Sequence, residues 1–77
     1  MSETMKKIAE VFTVVFENPN LKISEETDAS DIKEWDSFKH LSLLAMLEKE
    51  FHIKFEVDDI VSMENVGDIA RIIELKR

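Results

Sequence analysis

Residues 34–51 read EWDSFKHLSLLAMLEKEF, and their apolar positions recur at helical rather than strand spacing. The residues after Asp36 are mostly good helix formers, and Asp36 or Ser37 is a suitable N-cap, so a helix is predicted over 37–50. Projection at about 100° per residue puts Leu43, Leu44, Leu47 and Phe51 on one face, the core face. Phe38, Leu41 and Ala45 form a second stripe beside Ser37. A small helix with two apolar faces usually meets something besides its own core, so a partner surface around Ser37 is expected.

Upstream, Met5, Ile8, Ala9, Phe12, Val15 and Phe16 follow the i, i+3, i+4, i+7 pattern of a buried helical face, with Ser2 as N-cap. This first helix should end before Asn18-Pro19. Val11 to Phe16 is β-branched and aromatic enough for a strand, but no partner strand with matching turn chemistry adjoins it. From Glu17 to Asp36 the periodicity fails and turn-forming Asn, Pro, Ser, Thr and Asp accumulate, which predicts a long loop pinned by Leu21, Ile23 and Ile32. A loop this long in so small a domain is more often functional than idle.

Downstream, His52 to Val57 alternates polar and apolar. A lone strand without a sheet is not viable, so an extended loop packing Ile53, Phe55 and Val57 inward is expected. Asp58 is read as the cap of a short helix through about Met63. Asn65 caps a last helix with Val66, Ile69, Ala70 and Ile73 as its buried stripe and Asp68 at its third position. The fold class is therefore all-α, a small four-helix bundle of three main helices and a short third one, with a long first loop.

The chain has 77 residues, enough for one core, so residues 1–77 are read as one domain. A domain of this size rarely has the walls for a catalytic cleft, which disfavours an enzyme. The formal net charge of −7 would repel nucleic-acid phosphates and anionic membranes and favours partners with basic patches. The absence of cysteine excludes disulfides and thiolate sites and leaves the redox compartment undetermined. With no long apolar stretch after the basic residues of the N-terminus and none long enough to span a bilayer, the expectation is a soluble, cytoplasmic protein without membrane insertion, and a monomer.

The run Glu34-Trp35-Asp36-Ser37-Phe38, followed by Leu41, Leu44, Leu47 and Glu48-Lys49-Glu50-Phe51, resembles the phosphopantetheine attachment region of acyl carrier proteins. The likeness extends over nearly the whole chain, through the helix order to Asn65-Val66-Gly67-Asp68. The family usually has Asp-Ser-Leu where this chain has Asp-Ser-Phe. The resemblance implies that Ser37 receives a 4′-phosphopantetheine arm from coenzyme A through a phosphopantetheinyl transferase, with Asp36 helping to present it. It implies that the arm's thiol carries acyl, aminoacyl or peptidyl groups as thioesters between acyl-loading and acyl-processing enzymes. A phosphodiester at a helix N-terminus is favoured by free amide N–H groups and the positive end of the helix dipole. The reactive thiol would then arrive on the cofactor, consistent with a chain that has no cysteine.

Phe38, Lys39, Leu41, Ser42, Ala45 and Glu48 are the expected partner-recognition residues. Fatty-acid carriers usually have an acidic second helix, so Lys39, Ser42 and Lys49 favour a specialised carrier over a housekeeping one, for polyketide, peptide, amino-acid or surface-polysaccharide synthesis. Other readings are weighed beside this one. Ser37 and Asp36 could be ordinary capping residues of an acidic helical adaptor without cofactor. A hydrolase using Ser37 lacks a Gly-x-Ser-x-Gly elbow and an oriented base. Trp35 is expected to fold onto the core more readily than to contact partners. His40 is read as a partly buried, hydrogen-bonded histidine, or as a residue at the mouth of an acyl cavity. His52 has no neighbours suited to a metal site, and Asp28, Asp31, Glu34 and Asp36 lack EF-hand spacing, so no metal is expected.

Overall fold

In the computed structural model, which describes residues 3–77, the chain forms α1 (Glu3–Val15), α2 (Ser37–Phe51), α3 (Val57–Val61) and α4 (Val66–Lys76). The first-helix cap expected at Ser2 lies outside the described residues. α1 packs against both α2 and α4. The fully buried side chains Ile8, Phe12, Leu43, Leu47, Val66, Ile69 and Ile73 come from these three helices and meet in one core. The predicted faces of α1, α2 and α4 are the ones buried. Val11 and Ile72 are buried as well and widen the stripes of α1 and α4. No strand occurs among the described residues, and the β-branched run of α1 stays helical because its side chains have the core to pack against.

The helices α1 and α2 both end without glycine. Glu17 has φ 53° and His52 φ 58°, the left-handed region that costs an ordinary residue about 1–2 kcal/mol. What is gained is closure of the helix ends. Asn18 N–H donates to Thr13 C=O at 3.1 Å and Glu17 N–H to Val14 C=O at 3.3 Å, while Ile53 N–H donates to Glu48 C=O at 3.1 Å. Lys39 Nζ adds a further bond to Val15 C=O at 2.9 Å, so a cation of α2 caps the C-terminus of α1.

The long loop is pinned as expected, with Ile23 and Ile32 buried and Leu21 packed on the core. Its turns are closed by side chains: Asn18 Oδ1 accepts from Asn20 N–H, Thr27 Oγ1 from Ser24 N–H and Asp31 Oδ2 from Asp28 N–H. The loop also seals the start of α4. Val66 N–H donates to Thr27 C=O at 2.9 Å, Gly67 N–H to Glu25 C=O at 2.8 Å and Asp68 N–H to the Asn65 cap at 2.9 Å. A Cβ at Gly67 would stand 3.0 Å from the Glu25 carbonyl oxygen, which explains the chain's single glycine.

The third helix departs from expectation. Its N-cap is Glu56 rather than Asp58, and Glu56 N–H donates to Asp59 Oδ2 at 2.9 Å, so the helix starts earlier than predicted and ends at Val61. Ile53 and Phe55 pack on the core as expected, but Val57, now the first helical residue, is 74% exposed instead of turned inward. Lys76 Nζ meets Asp59 Oδ2 at 2.9 Å and ties α3 to the end of α4. The amide of Glu56, then Lys76, hold the Asp59 carboxyl below its ordinary value.

Candidate functional site

Asp36, in extended backbone, is the N-cap of α2, and its Oδ1 accepts from Lys39 N–H at 2.8 Å. Its C=O accepts from His40 N–H at 2.8 Å. Ser37 is thus the first residue of the helix, not its cap. The amides of Ser37 and Phe38 find no acceptor among the described residues and stand open at the positive end of a helix of 15 residues. α4 differs, since the long loop and Asn65 occupy its first-turn amides.

The hydroxyls also separate the serines. Ser30 Oγ donates to Asp28 and Ser62 Oγ to Asp59 C=O, while Ser24 Oγ is paired with Thr27. Ser42 is half-buried within α2. Of the described serines, Ser37 combines an exposed hydroxyl without a protein partner with a helix N-terminus.

Beside Ser37 runs an open groove of about 370 Å³ between the start of α2 and the segment entering α4. Ala29, Trp35, Met63 and Ile69 give it apolar walls, and Asp36, His40, Glu64 and Asn65 give it polar ones. Trp35 is folded onto the core as predicted, edge-on to Phe12 at 5.2 Å. Its Nε1–H donates to His40 Nδ1 at 3.0 Å. His40 is therefore partly buried and hydrogen-bonded, the first of the two readings, and it also lines the groove; burial pushes its imidazole pKa below the ordinary value.

Phe38 is 73% exposed and Leu41 62%, and Ala45 is exposed too, so the second stripe of α2 faces away from the core. The expected recognition residues do not all stand free. Lys39 is turned to the Val15 carbonyl, and Glu48 Oε2 accepts from Phe55 N–H at 2.8 Å, closing the turn after α2. No residue spacing foretells either bond, because each needs the relative placement of two segments. Val57 and Val61 add exposed apolar surface on α3 that the sequence reading missed. Among the described residues no cluster of His, Cys, Asp or Glu could hold a metal, and no helix is long and apolar enough to cross a membrane.

The family model of the phosphopantetheine attachment site matches residues 6–73. The chain belongs to the acyl carrier protein family. Its fold is similar to that of a holo acyl carrier protein from Geobacter metallireducens, at 33% identity and TM-score 0.91 over 97% of this chain and 86% of that one. It is also similar in fold to a protein of Mycobacterium tuberculosis described as a candidate acyl carrier protein, at 22% identity and TM-score 0.83 over 94% of this chain and 96% of that one. No curated protein matches.

A carrier of this family bears a covalently attached 4′-phosphopantetheine. The region around Ser37 fits that group. It offers an exposed hydroxyl to esterify, two open amides for the phosphodiester oxygens, and a groove with mixed walls for the amide-bearing chain beyond. Asp36 turns one carboxylate oxygen to the Lys39 amide in the first turn of the helix.

Proposed function

We propose that Ser37 is the attachment serine and that the protein holds acyl, aminoacyl or peptidyl intermediates as thioesters and delivers them to biosynthetic enzymes. The observation that carries this reading is the exposed Ser37 hydroxyl at the open N-terminus of α2, next to a groove, in a chain whose family takes phosphopantetheine. The arm supplies the thiol that forms the thioester. The residues of the chain bind and orient. The Ser37 and Phe38 amides receive the phosphodiester, Asp36 holds the turn, and the walls of the groove offer apolar contact and hydrogen bonds to whatever lies along them.

On this reading the protein does no chemistry of its own, works as a cytoplasmic monomer, and meets a phosphopantetheinyl transferase and then loading and processing enzymes. Phe38, Leu41 and Ala45 supply the apolar contact with those partners. The mixed charge of α2, with Lys39, Ser42 and Lys49 on it, supports a dedicated carrier for polyketide, peptide or surface-polysaccharide synthesis over ordinary fatty-acid synthesis. The test is incubation of the apo protein with coenzyme A and a permissive transferase, followed by peptide mapping. One added phosphopantetheine on the peptide containing Ser37 is expected. Its appearance on a peptide carrying Ser24, Ser30 or Ser62 instead would overturn the assignment. Intact mass of the protein from its native cells would then identify the cargo.

A further inference from the structure

Trp35 carries a polar atom that its burial obliges it to satisfy. The ring is only 9% exposed, at 5.2 Å from Phe12 and 6.2 Å from Phe16, and an indole N–H can only donate. The acceptor is His40 Nδ1 at 3.0 Å. Accepting this bond requires a lone pair on Nδ1, so the neutral ring keeps its proton on Nε2. An imidazolium has an N–H at both nitrogens, and no rotation of the ring restores an acceptor.

These two side chains straddle the turn that bears Ser37. The Asp36 bonds to Lys39 N–H and His40 N–H hold that turn to α2, whereas Trp35 also joins it to Phe12 and Phe16 of α1. We infer that the Trp35–His40 hydrogen bond is a positioning latch for Ser37, holding the Asp36–Ser37 turn in the geometry the transferase engages and letting go when His40 takes up a proton. The inference rests on the reading of Ser37 as the attachment serine. The carboxylates of Asp36 and Glu64 are the acidic groups that share the groove with His40. Lys39, the nearest cation along α2, sends its ammonium to the Val15 carbonyl, and α1 and α4 present Phe12, Phe16 and Ile69 to the pair. Burial opposes the charge and lowers the pKa of His40, so the latch is closed at neutral pH.

The experiment measures transfer of phosphopantetheine from coenzyme A to the full-length apo protein, by one transferase, between about pH 5 and about pH 8, the span over which a histidine changes charge. Each rate is divided by that of His40→Asn, whose Oδ1 can accept the indole bond but cannot titrate, so the transferase's own pH dependence cancels. The expected ratio is level at the upper end and falls about fivefold or more toward the lower, the loss expected for one buried hydrogen bond. The chain has a single tryptophan, so its indole N–H resonance is identified at once and should move with the His40 ring signals. A level ratio across the titration of His40, or an indole resonance indifferent to it, overturns the latch. Failure of the underlying reading looks different, because Ser37→Ala would then still gain the arm at every pH.

Discussion

Ser37→Ala and Asp36→Ala, at adjacent positions, should differ in stability, and Ser37→Ala should in addition accept no arm. Ser37 is the first helical residue, exposed, with a hydroxyl that bonds to no protein group, so its loss removes no contact. Alanine is the better helix former, by up to about 0.5 kcal/mol. Ser37→Ala should therefore melt at the wild-type temperature or slightly above it. Asp36 is the cap itself, with Oδ1 2.8 Å from Lys39 N–H. Its replacement costs about 1 kcal/mol for the lost cap and some tenths more for the lost charge at the positive end of the dipole. For a domain of this size that lowers the melting temperature by about 4–8 °C. Thermal circular dichroism of the apo proteins measures the first quantity, and intact mass after treatment with coenzyme A and transferase measures the second. Ser37→Ala should be fully folded and unmodified, and Asp36→Ala less stable. An alanine at Ser37 that melts as low as one at Asp36 would show the capping assignment to be wrong, and a Ser37→Ala protein that still acquires the arm would refute the attachment site.

His52→Gly should stabilise the fold by about 0.5–1 kcal/mol, since the left-handed cost of a side chain exceeds the extra chain entropy of glycine; an unchanged melting temperature would argue against strain at this helix end. Gly67→Ala should lower the melting temperature despite alanine's helix propensity, because its Cβ meets the Glu25 carbonyl oxygen at 3.0 Å, and a rise would mean that the loop yields freely. The Asp59 carboxyl is held below its ordinary 3.8, first by the Glu56 amide and then by Lys76, so its contribution is present above that value and is lost as pH falls through the lower folded value. Melting curves of wild type and Asp59→Asn should accordingly differ at neutral pH and converge in acid. Phe38→Ala should leave stability unchanged and speed dissociation of the cognate partner in surface-binding kinetics, and a slower association with unaltered dissociation would place the ring outside the contact.

The three long helices were legible because each buries a stripe at a spacing that only a helix can produce. Phe12 with Ile8, Leu43 with Leu47, and Ile69 with Ile73 sit where a projection of the sequence puts them. Ser37 was singled out because its neighbours carry the family pattern, and the structure places its exposed hydroxyl at the start of α2. The third helix was less so. Five residues offer too little periodicity to fix its phase, and Asp58 and Glu56 are both acceptable caps, so the two-residue difference turned Val57 outward. The bonds that complete the site were out of reach for a different reason. Trp35 to His40, Lys39 to the Val15 carbonyl and Glu48 to the Phe55 amide depend on rotamers and on segments that meet only after folding. The lone glycine was a signal that could have been used, since a residue without a Cβ in the first turn of a helix points to a close backbone neighbour.

The anchoring of the long loop onto the first turn of α4 bears on the thermodynamics of every encounter this protein makes. Thr27 and Glu25 hold that loop through their carbonyl groups, and side-chain-closed turns hold it internally, so there is little chain left to order when a partner arrives. Association should then show a heat-capacity change set by the contact area alone, without the larger signature of coupled folding. None of the binding free energy is then lost to ordering the loop. A protein that must visit one enzyme after another gains from that arrangement, because it can dissociate as readily as it docks and present the same shape to each.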